Sequence, residues 1–205
     1  MPTKALLLVD LQNGTCGPPQ AERRADFHRR FLAHTLPAAR RALELSRAAG
    51  LEVIHTVIAN LTADGRDRSL DYKRCGLGFA PGSWEARVID ALAPLADEIV
   101  LPKSSSSPFS STCLDYVLRN IGIQDLVVAG ILTDQCIDHT VKDAADRGYR
   151  VTCLTDACQA ETAERHAAAL ACFRGYARQC TVAEFAAGLP SPDPRPERRV
   201  EPTAL

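Results

Sequence analysis

The sequence lacks the marks of several large functional classes. None of its eight cysteines forms a C-x-x-C pair, so zinc ribbons and thioredoxin-type redox centres lack their ligands. No G-x-G-x-x-G is present. The residues after the first apolar run are Gly14-Thr15-Cys16-Gly17, which do not make a dinucleotide-binding turn. Lys and Arg number 24 against 25 Asp and Glu, for a net charge of -1. A chain without basic excess is poorly equipped to neutralise phosphates, so no nucleic-acid partner is expected. The longest apolar runs are of the kind seen at residues 5–9. They fall far short of the roughly 20 residues of a membrane span, and no membrane partner is expected. Met1-Pro2-Thr3-Lys4 leads into a short run ending at Asp10, without a signal-peptide h-region or cleavage site. A cytoplasmic location is therefore expected. In a reducing compartment most of the cysteines should be small buried hydrophobes rather than disulfide partners.

What is present is one domain's worth of ordinary globular sequence: 205 residues, 46% hydrophobic and 24% charged. Short apolar runs at residues 5–9, 51–58, 98–101, 125–129 and 150–154 predict strands. Helical patterns lie between them, at 35–49, 111–120, 134–147 and 161–178, with Thr112 and Asp115 placed to cap the second. Near-continuous apolar strands alternating with helices predict a three-layer α/β/α domain with a mainly parallel sheet of about six strands. Two segments look irregular. Residues 60–83 carry four glycines, a proline and many charges, too long for a passive connection. From Leu189 the chain is Pro-rich, so the domain is drawn as 1–188 and a tail as 189–205.

In an open parallel sheet, ligands bind beyond the carboxyl ends of the strands. Three such ends carry reactive residues. The first strand ends at Asp10, the third at Pro102-Lys103, and the fourth leads through Gly130-Ile131-Leu132-Thr133-Asp134-Gln135 into Cys136. Thr133 as N-cap would put Cys136 in the first turn of a helix, where free N–H groups and the helix dipole favour a thiolate. Lys103 would lower the thiol pKa further. Asp10 could take the thiol proton and return it to a leaving amine, and the backbone N–H groups could hold an oxyanion. Spacing alone leaves the plainer readings open: a strand-end Asp as turn former, a solvated Lys, a structural Cys.

The stretches Leu7-Leu8-Val9-Asp10-Leu11-Gln12-Asn13, Pro102-Lys103 with Ser107-Pro108-Phe109, and Gly130-Ile131-Leu132-Thr133-Asp134-Gln135-Cys136-Ile137 resemble, in order and spacing, the three motifs of the isochorismatase-like cysteine hydrolases. Val141-Lys142-Asp143-Ala144-Ala145, and Gly148-Tyr149 through Asp156-Ala157, are similar to the family's following helix and strand. The resemblance covers about residues 4 to 185. It implies a Rossmann-like domain, a homo-oligomer (dimer or tetramer), and a catalytic triad of Asp10, Lys103 and Cys136. It also implies a cis peptide bond at Ile131–Leu132 that aims the Leu132 N–H, with that of Cys136, into an oxyanion hole. Whether the strand order is Rossmann-like or flavodoxin-like stays open. The Rossmann order would make Lys103 reach back over the second strand.

Family members that act on the vinyl ether of isochorismate include some without the cysteine. Its presence here favours carbon–nitrogen amide hydrolysis of a small molecule. A vinyl-ether hydrolase and a non-catalytic thiol or interaction module are the alternatives. Nicotinamidase-type members hold a metal through histidines after the second strand. No histidine lies between His55 and His139, so neither metal nor cofactor is expected. His55, inside an apolar strand, reads as a core histidine, and His139 as a partly exposed helix residue. Gln12, Arg66, Arg68, Lys73 and Trp84 are candidate substrate contacts, since a cationic loop suits a carboxylate or ureido group. The competing reading is a solvated surface offset by Asp64, Asp67 and Asp71.

Overall fold

The computed structural model describes residues 3–189; the Pro-rich stretch from residue 190 lies outside the described residues. Six strands form one all-parallel sheet in the order β3-β2-β1-β4-β5-β6. They are β1 (Lys4–Val9), β2 (Glu52–Ile58), β3 (Ile99–Lys103), β4 (Asp125–Ile131), β5 (Arg150–Gln159) and β6 (Arg178–Cys180). This is the Rossmann-type order, with the topological switch between β1 and β4.

The central strand shows why its sequence is continuously apolar. Successive side chains of a strand point to opposite faces. Ala5, Leu7 and Val9 enter one core layer with Leu114, Leu118, Ile137, Val141 and Phe173. Leu6 and Leu8 enter the other with Phe27, Phe31, Ala39, Leu43 and Phe185. Helices Leu114–Ile121 and Asp138–Asp146 cover the first face; Leu36–Ala48 and Val182–Ala187 cover the second.

At the switch the two central strands touch backbone to backbone. Gly130 on β4 has φ +135°, and a Cβ built there would lie 2.1 Å from the Val9 carbonyl oxygen. Only glycine fits. One residue beyond Val9, Asp10 takes φ 59°, an uncommon conformation for a residue with a side chain but one that Asp tolerates better than most. The Thr15 hydroxyl donates to the Asp10 carbonyl at 2.6 Å and holds the turn.

Several local expectations are corrected. The helix expected at 161–178 spans Ala163–Cys172, capped by the Thr162 hydroxyl accepting from the Arg165 N–H. The chain then turns and enters β6, a strand of three residues with no apolar run to announce it. β5 runs on to Gln159, past a register break: Val128 pairs with Cys153, yet Gly130 pairs with Cys158. The segment 60–83 holds a helix, Leu70–Cys75, closed by Gly76 at φ 70°. Thr112 and Asp115 form no capping pair. The Thr112 hydroxyl accepts from the Leu114 N–H, while the Asp115 carboxylate takes Arg119 and Tyr149. Among the described residues no helix is long and apolar enough to cross a membrane.

Candidate active site

The ends of β1, β3 and β4 bring Asp10, Lys103 and Cys136 together. The Lys103 ammonium lies 2.9 Å from Asp10 Oδ2 and donates to Cys136 Sγ at 3.4 Å. Lys103 belongs to β3, beyond β2, where it is in register with Ile58. Its long side chain bridges that intervening strand, which removes the geometric objection to the Rossmann order. Two further acceptors, the Tyr72 hydroxyl and the Ser105 carbonyl, each lie 2.9 Å from Nζ. The Thr56 hydroxyl donates to Asp10 Oδ1 at 3.2 Å. Asp10, Lys103 and Cys136 are 1%, 0% and 4% exposed, so their charges interact with little screening by solvent.

Burial governs the protonation states. It raises the Asp10 carboxyl above the usual carboxylate range, against the opposing pull of Lys103. For Lys103, burial alone would lower the pKa, but Asp10 and Cys136 together overcome it and hold the ammonium above its ordinary value. The thiol departs from expectation. Desolvation pushes Cys136 up to about 11, although Lys103 pulls it down. Burial thus favours the thiol over the thiolate at Cys136.

Cys136 sits in a π-helical turn, Thr133–Ile137, which leads into the helix Asp138–Asp146. Thr133 is not the N-cap. That place belongs to Leu132, and the Thr133 hydroxyl pairs with His166 Nδ1 at 2.8 Å. The peptide bond Ile131–Leu132 is cis. Leu132 and Cys136 line a cavity of about 420 Å³ together with Asp10, and its walls include Arg23, Arg24, Cys75, Gly76, Leu77 and Phe79.

The structure places the expected substrate contacts elsewhere. Gln12 is fully buried, and its amide is committed to the main chain. It donates to the Ile58 and Glu85 carbonyls at 2.9 Å and accepts from the Ile58 N–H. Arg66 is exposed and paired with Asp64. Arg68 donates to the carbonyls of Gly65 and Leu77, supporting the loop from behind. Lys73 and Trp84 face solvent, and none of the five lines the cavity. The cations that do are Arg23 and Arg24. Arg24 is held by Glu161, Gln20 and the ring of Phe27. Arg23 makes no ion pair among the described residues. Neither was singled out in the sequence, because both sit in a charged, weakly patterned stretch. Tyr72, beside the loop cations in sequence, is a buried neighbour of Lys103 and Cys136. Only its position two residues into a short helix brings it to the site.

His55 is buried and pairs with Glu98, itself held by Arg47. His139 is exposed and bonds the Gln135 carbonyl. All eight cysteines are free; Cys16, Cys136, Cys153, Cys158 and Cys180 are buried. Among the described residues no cluster of three or more His, Cys, Asp or Glu is placed to hold a metal ion.

The chain is similar to known proteins along most of its length. The family model for the isochorismatase domain matches residues 4–184. The chain is 32% identical to a ureidoacrylate amidohydrolase of Methylobacterium radiotolerans, over 94% of this chain and 82% of that protein. Among solved structures, a cysteine hydrolase from Pseudomonas syringae pv. phaseolicola superposes with TM-score 0.80 at 26% identity, covering 90% of this chain and 91% of the other. An N-carbamoylsarcosine amidase from Thermoplasma acidophilum gives TM-score 0.71 at 28% identity, covering 89% and 97%. The strand order, the motif spacing and these matches lead to one placement: the chain belongs to the isochorismatase-like hydrolases, on their amidohydrolase branch.

Proposed function

We propose that this protein is a cysteine amidohydrolase that cleaves a carboxamide or ureido carbon–nitrogen bond through a thioester. The observation that carries the reading is the convergence of Asp10, Lys103 and Cys136 at the mouths of three strands. Burial holds the Cys136 thiol above its ordinary pKa, so the proton leaves as the new bond forms. Asp10 receives it. Cys136 Sγ attacks the carbonyl carbon, the carbon–nitrogen bond breaks, and the departing nitrogen takes the proton from Asp10. Water then attacks the thioester, with Asp10 again as base, and the acid and the thiol are released. The Lys103 ammonium offsets the negative charge that passes between carboxylate and sulfur. The Leu132 and Cys136 N–H groups hold the oxyanion.

A cavity of about 420 Å³ suits a small molecule, and the Arg23 guanidinium on its wall suits a carboxylate at the far end of that molecule. Carbamoylated and ureido acids therefore head the panel of candidates, followed by maleamate-like amides, biuret-like carbamides and simple carboxamides. An ammonia-release screen over this panel tests the reading. Turnover of at least one compound, lost in Cys136→Ala, is expected. Undiminished turnover in Cys136→Ala would overturn it.

A further inference from the structure

The buried phenol of Tyr72 lies within hydrogen-bonding reach of two members of the proposed triad. Its hydroxyl accepts from Lys103 Nζ at 2.9 Å and lies 3.5 Å from Cys136 Sγ. A lysine ammonium can only donate, so the Tyr72 oxygen is the acceptor in that pair and the phenolic proton is left to point elsewhere. An acceptor within reach is Cys136 Sγ. When charge develops on sulfur, the sulfur becomes a stronger acceptor.

From this geometry we propose that Tyr72 is a fourth catalytic residue, whose O–H donates to the Cys136 sulfur as the thiolate forms. The inference rests on Cys136 being the nucleophile. In the step, the thiol proton goes to Asp10 and the sulfur–carbon bond forms, while Tyr72 keeps its proton throughout. Burial holds the phenol far above its ordinary pKa, so it remains a donor at any working pH. The bond is weak to a neutral thiol and strong to a developing thiolate, and an interaction that strengthens along the reaction lowers the barrier. Lys103 polarises the phenol from the other side and improves it as a donor.

The position of Tyr72 adds a second consequence. Its helix, Leu70–Cys75, runs directly into Gly76, Leu77 and Phe79, which line the cavity. The Ser69 N–H donates to the Ser104 carbonyl, and the Leu77 N–H returns to the Tyr72 carbonyl. One short segment thus carries both a wall of the substrate cavity and a donor to the nucleophile.

The test is Tyr72→Phe, which keeps the ring and removes the hydroxyl. Turnover of the best substrate should fall roughly 10–100-fold in kcat, the usual effect of losing a hydrogen bond to a charged group, while KM changes less than about twofold. The second readout is the rate at which iodoacetamide modifies Cys136 at pH 8, followed by mass spectrometry of the Cys136 peptide. The titratable groups facing that sulfur are Asp10 after β1, Lys103 from β3 and Tyr72 itself. Loss of the donor lowers the thiolate fraction, so alkylation should slow several-fold. A residue that merely supported the fold would do the reverse, since loosening the site exposes the sulfur. Unchanged or faster alkylation with wild-type kcat overturns the proposal, as does a change confined to KM. If Tyr72→Phe does not fold, site-specific 3-fluorotyrosine at 72, a more acidic donor of nearly the same shape, should speed alkylation; no change would overturn it. Undiminished turnover in Cys136→Ala would instead overturn the nucleophile assignment, a separate failure.

Discussion

Replacing Lys103 by methionine gives a test whose size follows from the geometry. The substitution keeps the stem and deletes a charge 2.9 Å from Asp10, with both side chains buried. Exposed ion pairs contribute only about 0.2–1 kcal/mol, but removing one partner of a buried pair costs about 3–5 kcal/mol because the other charge is left uncompensated. Lys103→Met and Asp10→Asn should each lower the unfolding free energy by about that amount. The double variant removes both charges, so its loss should be smaller than the sum of the two singles by roughly 2–3 kcal/mol. All three should lose turnover.

The pH dependence carries a sign. The folded-state pKa of Asp10 is already raised by burial, and without Lys103 only the hydrogen bonds from Cys136 and Thr56 oppose that. Folding then favours the protonated carboxyl. Lys103→Met should be most stable in acid and lose stability as pH rises above about 4, the unfolded value, until the folded pKa is passed. Urea unfolding at pH 5 and pH 8, with ammonia release beside it, makes both measurements. Single-variant losses below about 1 kcal/mol, or turnover in the double variant, would show that the pair is neither buried nor catalytic in the way described.

Other outcomes follow from the same site. Cys136→Ala should fold normally and release no ammonia, and Cys136→Ser should be nearly as inactive, since a site holding a protonated thiol gives a serine hydroxyl too little help to ionise. Far-ultraviolet circular dichroism with the ammonia assay decides this. Arg23→Ala should raise KM for carboxylate-bearing amides roughly tenfold and leave their neutral methyl esters unaffected, while Arg66→Ala, outside the cavity, should change neither. A KM rise of equal size on acid and ester would remove Arg23 from substrate recognition. Because the sequence has no histidine between His55 and His139, dialysis against EDTA should leave turnover intact. Loss restored by one divalent ion would show a metal requirement.

The central sheet was legible because β1, β2 and β4 are buried on both faces and must be continuously apolar. β6 was not, since a three-residue edge strand pairs through its backbone and needs no apolar run. The convergence of Asp10, Lys103 and Cys136 could be read because Asp10 and Cys136 follow, and Lys103 ends, strands that the pattern identifies. The cavity walls could not. Arg66 and Arg68 have the right chemistry, but their guanidinium groups answer to Asp64 and to main-chain carbonyls, partners that sequence distance does not reveal. Gln12 sits inside a recognisable motif, yet its amide ties the start of the chain to Ile58 and Glu85. The upward pull on the thiol is hidden for a related reason: the charges around Cys136 are visible in the sequence, and the depth of its burial is not.

The backbone contact at Gly130 has a consequence for how this protein could be altered. The spacing between the chain carrying the carboxylate and the chain carrying the thiol is set by main-chain atoms of Val9 and Gly130 meeting directly. Side-chain exchanges in either core layer do not pass through that contact. Other residues that line the cavity, Arg23 and Cys75 to Phe79 among them, lie instead on short helices and connecting segments. Changes around Arg23 are therefore mechanically separate from the bond-breaking groups, whereas Cys75 to Phe79 continue the helix that carries Tyr72. Libraries confined to the Arg23 side can retarget the protein to new amides at low risk to the bond-breaking step, whereas any side chain at position 130 would disable every substrate alike.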